Sequence, residues 1–193
     1  MRIETFIRKG LRLKAHRVVA LEEDEAAQEL VIHLDRREHR RLHCGECGRA
    51  TRRIAPTRRP ARRWRDLALR EHMVVLVYAP CRVWCARCGL RVERLPWADK
   101  WQRVTHALAR AVADLARELT WSAVAHHFRL NWKTIATVVE GAVLWGLQHR
   151  RWEPLHVMGI DEVSRRKGQR YRVAQVADVQ TGRPVDALPP ARG

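Results

Sequence analysis

The sequence has no apolar run long enough to cross a lipid bilayer, which takes about 20 residues. Its longest uninterrupted apolar stretch, Met73 to Pro80, fits a buried strand. The first thirteen residues mix basic and apolar side chains without a continuous hydrophobic core, so we predict no secretory signal. A cytoplasmic protein without a membrane partner is expected, and its five cysteines should be thiols or metal ligands rather than disulfides.

Acidic residues are scarce relative to basic ones, with 21 Asp and Glu against 38 Lys and Arg and a formal net charge of +17. Self-repulsion at this charge destabilises a compact fold unless a polyanion neutralises it, so nucleic acid is the expected partner. Nearly all the basic residues are arginine, whose planar fork of donors matches phosphate groups and guanine edges. A GC-rich genome would explain arginine in place of lysine, but not the excess of positive charge.

The sequence also lacks a glycine–serine linker, and it has no internal repeat beyond two cysteine pairs. Changes of pattern therefore define the domains, and they indicate a multi-domain α+β chain. Residues 1–43 combine a short helix with a β-hairpin, and residues 44–95 form a β-rich, zinc-ribbon-like module. Residues 96–152 have helical periodicity, and residues 153–193 are β-like again.

Local patterns place individual elements within the first two segments. A helix is expected over Ile3 to Leu11, followed by hairpin strands at 15–21 and 30–34 with an acidic turn between them. Two further strands, Arg62 to Leu69 and Met73 to Val83, are expected as a hairpin between the cysteine pairs.

Two copies of a C-x-x-C-G motif, at 44–48 and 85–89, predict a zinc site. One tight turn can present both sulfurs of a pair to one metal, and the glycine permits a left-handed backbone that points amide N–H groups at them. Two such turns predict one structural Zn²⁺ with four thiolate ligands and no open coordination position. The predicted ligands are Cys44, Cys47, Cys85 and Cys88.

Reduced core cysteines and a redox pair are the alternatives to zinc. The duplicated motif disfavours the first, and the lack of a thioredoxin-like βαβ pattern disfavours the second. The odd cysteine, Cys81, is expected to be a free thiol.

An arginine-rich stretch lies between the cysteine pairs, where Pro56 and Pro60 keep the chain extended. It has little apolar surface to bury, so it is either a solvated loop or a phosphate-binding segment. Phosphate contact would give salt-dependent affinity that is largely independent of base sequence. The candidate phosphate ligands are Arg58, Arg59, Arg62 and Arg63.

Three helices are predicted in the segment 96–152. The first has apolar residues at three- and four-residue spacing, namely Leu108, Val112, Leu115 and Leu119. The second and third follow at 122–128 and 132–148. Thr120 or Ser122 can cap the second helix, and Asn131 can cap the third.

The second and third predicted helices have the pattern of a helix-turn-helix. Val124, Ala125 and Phe128 form the buried face of the first of the two, and Leu130 in the short turn enters the core. Residues at the N-terminal end of a recognition helix contact base edges. The candidate base contacts are therefore Trp132, Lys133, Thr134 and Thr137. An ordinary αα-hairpin without DNA binding is the alternative.

The last segment predicts a hairpin of Leu155 to Asp161 with Tyr171 to Val179, and Asp161 lies at the end of the first strand. Burying a carboxylate is costly unless it is paired or binds metal. A single aspartate at a strand end is a weak signal, because such a residue is usually a turn or cap residue.

The order of these parts resembles the ISL-three family of insertion-sequence transposases, from about Val18 to Arg183. The resemblance is carried by the paired C-x-x-C motifs, by Trp-Ser-Ala-Val-Ala…Phe…Trp-Lys-Thr-Ile, and by Gly-Ile-Asp-Glu-Val…Tyr…Val-Ala-Asp-Val-Gln-Thr-Gly-Arg. It implies an N-terminal zinc module, a helix-turn-helix that recognises the terminal repeats of the element in double-stranded DNA, and a ribonuclease-H-like catalytic domain with a DDE acid triad.

By this resemblance Asp161 is the first acid of the triad, and Asp178 is not a member. The family uses two divalent ions such as Mg²⁺ for in-line displacement at phosphodiesters. The second aspartate and the glutamate of the family have no match in this sequence, which ends in Pro-Pro-Ala-Arg-Gly. The expectation is a C-terminally truncated member with the start of the catalytic hairpin, in which Mg²⁺ does not bind productively and DNA is bound without being cut.

Three interpretations of function remain open. The first is the DNA-binding portion of a transposase, associated with the bacterial nucleoid as a homo-oligomer or with full-length transposase. The second is a stand-alone zinc and helix-turn-helix regulator derived from a transposase. The third, an RNA-binding zinc-ribbon protein of the translation machinery, is disfavoured by the recognition-like helix and by the strand that contains Asp161.

Overall fold

The computed structural model describes residues 3–11, 13, 15–150, 158–163 and 172–178, with side chains described up to residue 150 except those of Ile3 and Phe6. These residues form an α+β arrangement of four helices and eleven strands. In chain order the elements are α1 (Ile3–Gly10), β1 (His16–Asp24), β2 (Glu29–Arg36), β3 (Leu42–His43), β4 (Ala50–Thr51), β5 (Ile54–Arg58), β6 (Arg62–Arg65), β7 (Met73–Tyr78), β8 (Cys81–Cys85), β9 (Gly89–Val92), α2 (His106–Leu115), α3 (Trp121–His127), α4 (Trp132–Gln148), β10 (Met158–Val163) and β11 (Arg172–Asp178).

The chain divides into two compact units, Met1–Gly146 and Leu147–Gly193. Within the described ranges, no helix combines the length and the apolar character that a membrane span requires.

The main sheet of the first unit has the strand order β1-β2-β7-β6. The predicted N-terminal hairpin is confirmed as the antiparallel pair β1 and β2, although its turn lies at 25–28 and shares only Glu25 with the predicted acidic turn at 22–25. The hairpin predicted between the cysteine pairs is confirmed as β6 and β7, and β7 also pairs in parallel with β2. The sheet therefore joins strands from the predicted segments 1–43 and 44–95, while the domain boundaries themselves stay a prediction.

The predicted strand Met73 to Val83 is wrong as a single element. It is divided into β7 and β8 at Ala79 and Pro80. Proline has no N–H for the strand ladder, so a continuous strand through this point is disfavoured.

At the main sheet, a core cluster combines aromatic side chains with aliphatic ones from β2 and β7. Trp64 and Tyr78 are each 1% exposed, and both pack edge-to-face on Trp97 with ring centroids 5.8 and 5.5 Å apart. Ile7 and Leu11, in and just after α1, pack against the same cluster. Trp97, which follows the cysteine module in the chain, therefore contributes to the core of the sheet.

The three helices predicted in the segment 96–152 are confirmed as α2, α3 and α4. They share a core that consists of Val104, Leu108, Val112, Val124, Ile135 and Val138. Leu119 was predicted on the same face as Leu108 but is 46% exposed. The helix ends at Leu115, so the helical spacing no longer sets the direction of Leu119.

The helices are attached to the main sheet where α2 begins. The Arg65 N–H donates to the Arg103 carbonyl at 2.9 Å, and the Thr105 N–H donates to the Arg65 carbonyl at 2.8 Å. The Thr105 hydroxyl donates to the buried Asp66 carboxylate at 2.6 Å and accepts from the Leu108 N–H at 3.2 Å. Thr105 thus caps α2 and at the same time satisfies a buried anion.

The second unit contains the predicted antiparallel hairpin, formed by β10 and β11. Residues 155–157, 171 and 179, which the prediction included, lie outside the described residues. Asp161 pairs with Gln175, and the register shifts directly after it. Asp161 lies near the end of its strand, as predicted, and backbone pairing with β11 continues two residues beyond it to Val163.

We predict that Thr105→Ala lowers the free energy of unfolding by about 2 kcal/mol, because it removes the cap of α2 and the hydroxyl donor to Asp66 together. Thr120→Ala is the matched control, since Thr120 caps α3 but is exposed and has no buried carboxylate partner. It should cost about 1 kcal/mol or less. Urea denaturation measures both, and equal losses would contradict the role of Asp66.

Candidate metal centre and nucleic-acid interface

The two C-x-x-C-G motifs lie at the ends of two β-hairpins. The first motif connects β3 to β4, which pair through Leu42 with Thr51. The second connects β8 to β9, with Cys85 directly opposite Gly89. The long gap between the motifs contains β5, which pairs with β8, and the strands β6 and β7 of the main sheet.

The four cysteines of these motifs converge on one point, as predicted. Their Sγ atoms all lie within 4.8 Å of one another, and those of Cys47 and Cys85 are 3.5 Å apart. Tetrahedral Zn²⁺ with Zn–S bonds of about 2.3 Å needs sulfurs roughly 4 Å apart. The chemistry and spacing of this donor set therefore fit a metal ion such as zinc.

Backbone N–H groups around the second motif favour the thiolate form of Cys85. Gly89 has φ +71°, the left-handed conformation that was predicted, and Gly48 in the first motif has φ +70°. The N–H groups of Cys88 and Arg87 donate to the Cys85 sulfur and hold its pKa at about 6, below the usual value for cysteine. A hydrogen bond with Cys47 raises the pKa of Cys88 to about 12. Metal binding at the cluster requires loss of that proton.

Gly45, which sequence analysis did not single out, allows the two hairpins to meet. Its N–H donates to the Val92 carbonyl at 3.0 Å, and a Cβ on Gly45 would lie 2.5 Å from that oxygen. Any other residue would push the first motif away from β9. The signal in the sequence was only the glycine between Cys44 and Cys47, which a turn explains equally well.

Cys81 is a free thiol, as expected, and it lies outside the cluster. It is fully buried, which raises its pKa, and its sulfur is 3.6 Å from the Tyr78 hydroxyl. The buried Glu93 carboxylate accepts from the Tyr78 hydroxyl at 2.6 Å and from the Cys81 N–H at 2.7 Å. Sequence analysis missed Glu93, whose partners come from distant positions in the chain.

The helix-turn-helix is formed by α3, α4 and the turn between them. The Thr120 hydroxyl accepts from the Ala123 N–H at 3.3 Å, which assigns the cap to Thr120, since Ser122 is inside α3. The Asn131 side chain accepts from the Lys133 N–H at 2.8 Å, so the predicted cap of α4 is confirmed. Arg129 closes the turn with φ +48°.

The first turns of α4 present a mostly exposed surface. Trp132 is 54% exposed, and Lys133 and Thr137 are also exposed, whereas Thr134 is half-buried. The Thr137 hydroxyl donates to the Lys133 carbonyl at 2.9 Å, which leaves its oxygen lone pairs available. Trp121 of α3, which sequence analysis did not single out, packs on Trp132 with ring centroids 6.1 Å apart.

The turn of the helix-turn-helix is held by the main sheet. The Arg65 guanidinium donates to the Phe128 carbonyl at 3.4 Å, and the Arg129 guanidinium donates to the Gln28 side chain at 2.9 Å. These contacts limit how far the recognition surface can move relative to the sheet.

The four arginines predicted to contact phosphate differ in their surroundings. Arg58 pairs with Asp35 at 2.8 Å, and Arg63 pairs with Glu29. Within the part of the chain that the structure describes, Arg59 and Arg62 have no carboxylate within 4.0 Å. Among the described residues, only the last two therefore lack a paired carboxylate.

The helix-turn-helix region matches a known family, and the chain has curated relatives. The model for the helix-turn-helix domain of transposase family ISL3 matches residues 93–143. The chain is 35% identical over 150 residues to the transposase for insertion sequence element IS1001 of Bordetella parapertussis, covering 77% of this chain and 36% of the relative. It is 34% identical over 151 residues to the transposase for insertion sequence element IS1557 of Mycobacterium tuberculosis, covering 76% and 33%.

The chain thus spans about a third of the length of these curated relatives. No solved structure matches it.

We predict that the purified chain carries one zinc ion and that Cys88→Ser abolishes stoichiometric binding, because three thiolates remain at the site. Removing the metal with a chelator should lower the melting temperature of the wild-type chain, since binding free energy contributes to folding. Metal content by atomic absorption and melting by circular dichroism measure these effects.

Cys81→Ala is the matched control, because it removes a buried cysteine that lies outside the cluster. It should retain one zinc per chain even if it melts earlier. Full zinc content in Cys88→Ser, or loss of zinc in Cys81→Ala, would contradict the assignment of the ligands.

Proposed function

Because the chain belongs to the transposase family ISL3, we propose that it is a DNA-binding portion of an insertion-sequence transposase and that it recognises the ends of the element. The observation that carries this proposal is the exposed start of α4, where Trp132 and Lys133 stand clear of the core in a capped helix-turn-helix. Such an N-terminal end fits the major groove of a duplex, where base edges can be read.

The zinc ribbon has a structural role in this proposal. A closed four-thiolate site cannot activate water, because it leaves no coordination position open. It would instead stabilise the two hairpins against each other and so support β5, which ends at Arg58, and the following Arg59. Arginine contacts with phosphate would position the duplex without reading its sequence.

Asp161 is proposed as the first acid of the family's triad, because it lies in β10 at the position that the family motif assigns to it. The family's triad places three carboxylates around two metal ions, and Asp161 is the one acid matched here. We therefore propose that these 193 residues bind an element end without cutting it.

Lys133→Ala is expected to reduce the preference for an element-end duplex over a scrambled duplex by about ten-fold, because a good base contact is worth roughly 1–3 kcal/mol of discrimination. Competition binding by fluorescence anisotropy measures this preference. Lys9→Ala, which removes an exposed lysine from α1, is the control of equal charge and should leave the preference unchanged.

An unchanged preference in Lys133→Ala, together with unchanged values in Trp132→Ala and Thr134→Ala, would refute recognition by α4. Incubation of the same duplex with magnesium tests the second part of the proposal. Cleavage that is lost in Asp161→Ala would show that the chain is a working enzyme.

Arg59→Ala should reduce the salt dependence of duplex binding more than Arg58→Ala. Neutralising one phosphate contributes about 0.9 to the slope of log K against log salt concentration. The charge of Arg58 is already compensated by Asp35, whereas Arg59 has no such partner among the described residues. Titrations at a series of salt concentrations give the slopes, and a larger effect of Arg58→Ala would contradict this assignment.

A further inference from the structure

A concave cleft of about 720 Å³ lies between the zinc ribbon and the segment 98–101, away from the base contacts proposed on α4. Its walls include the backbone of Gly45 in the first cysteine motif and the hairpin of β8 and β9. All of these residues belong to the same compact unit, Met1–Gly146.

The cleft is lined by six cationic side chains, which are Arg59, Arg62, Arg82, Arg91, Arg94 and Lys100. Arg62 is partly buried, and burial together with the neighbouring charges of Arg103 and Arg59 lowers its pKa. These cations come from four separate parts of the chain, so the fold and not a local run of arginines concentrates the charge.

The three acidic residues in the cleft wall offset only part of this charge, and none of them pairs with a cleft arginine. Glu46 is paired with Lys100 at 2.6 Å, and Asp99 lies 3.2 Å from the His106 ring. Glu93 is buried and accepts from the Tyr78 hydroxyl and the Cys81 N–H. None of the five cleft arginines has a carboxylate within 4.0 Å among the residues that the structure describes.

An exposed aromatic ring stands at the edge of this cationic cleft. Trp101 is 71% exposed and has φ +71°, a backbone conformation that bulky residues rarely adopt. Strained backbone of this kind is enriched at ligand-binding sites. The neighbouring Trp97, by contrast, is buried in the core.

We propose that this cleft binds an unpaired stretch of DNA, with its arginines other than Arg59, which is assigned to the duplex, on the phosphates and one base stacked on Trp101. A positively charged groove combined with an exposed aromatic ring is the arrangement that binds single strands. The size of the cleft falls within the range of pockets for small ligands, about 300–1,000 Å³, so it admits a nucleotide or two but not a double helix. Inside a duplex both faces of each base are covered by stacked neighbours, so stacking on Trp101 requires a base that is free of the helical stack on at least one face.

The proposal rests on the proposed function only in taking DNA as the polyanion. It adds a second binding mode, in which the chain holds a frayed or single-stranded segment while α4 reads the adjoining duplex.

The experiment measures anisotropy of a labelled oligothymidylate, with the element-end duplex measured in parallel. Trp101→Ala should weaken binding of the single strand roughly ten-fold and leave the duplex unaffected, because stacking of one base on an aromatic ring has about this effect. Trp101→Phe should retain most of the affinity. Trp84→Ala, which removes a 50% exposed tryptophan of β8 outside the cleft, is the matched control.

The charge of the cleft is tested in the same assay. Arg91→Gln should weaken binding of the single strand, whereas Arg52→Gln, an exposed arginine outside the cleft, should not. Because Trp101 and Arg91 are exposed, their variants should keep the melting temperature of the wild-type chain.

Equal affinities of Trp101→Ala and wild type for the single strand, or an equal loss in Trp84→Ala, would overturn the proposal. Tighter binding of the corresponding RNA with the same dependence on Trp101 would overturn the choice of DNA. If the chain binds the duplex in a Lys133-dependent way but does not bind single strands, this inference alone is refuted. If specific duplex binding is absent, the proposed function is refuted instead.

Discussion

The structure depends on bringing together two cysteine turns that are 38 residues apart in the chain, between Cys47 and Cys85. Closing a loop of this length costs conformational entropy, and four thiolates at one point repel one another. A divalent ion would remove the repulsion and turn the closure into a favourable step. The backbone hydrogen bond of Gly45 with Val92 fixes how the two hairpins meet there. The strands β6 and β7 lie between the two cysteine motifs in the chain and belong to the main sheet.

The main sheet in turn positions the helix-turn-helix. Asp66 follows β6 and accepts from Thr105, the cap of α2, so the end of a strand and the start of a helix share one buried hydrogen bond. Arg65 and Arg129 hold the turn before α4. The last residue of β6 and the residue after it thus contact both the start of α2 and the turn before α4.

Charge is distributed unevenly over this scaffold, in a way that the net charge of +17 does not show. Arg58 and Arg63 form ion pairs with Asp35 and Glu29, and each pair links two strands. Exposed ion pairs of this kind contribute little to stability, but they reduce the charge available for phosphate. The cleft beside the ribbon keeps a net positive charge because its six cationic side chains outnumber its three acidic ones, and none of its arginines pairs with a described carboxylate.

The sequence by itself determined the features that consecutive residues decide. Some features depend on residues only a few positions apart. These are the C-x-x-C-G motifs, the Asn131 cap and the spacing of Val124 and Phe128, and their patterns predicted the metal cluster and the helix-turn-helix. Only the tertiary structure decided which distant segments meet. The parallel pairing of β2 with β7, the ion pair of Arg58 and the cleft at Trp101 each join parts of the chain that periodicity cannot match. Periodicity reports which face of a strand or helix is buried, whereas the partner that covers that face is set by packing over the whole chain.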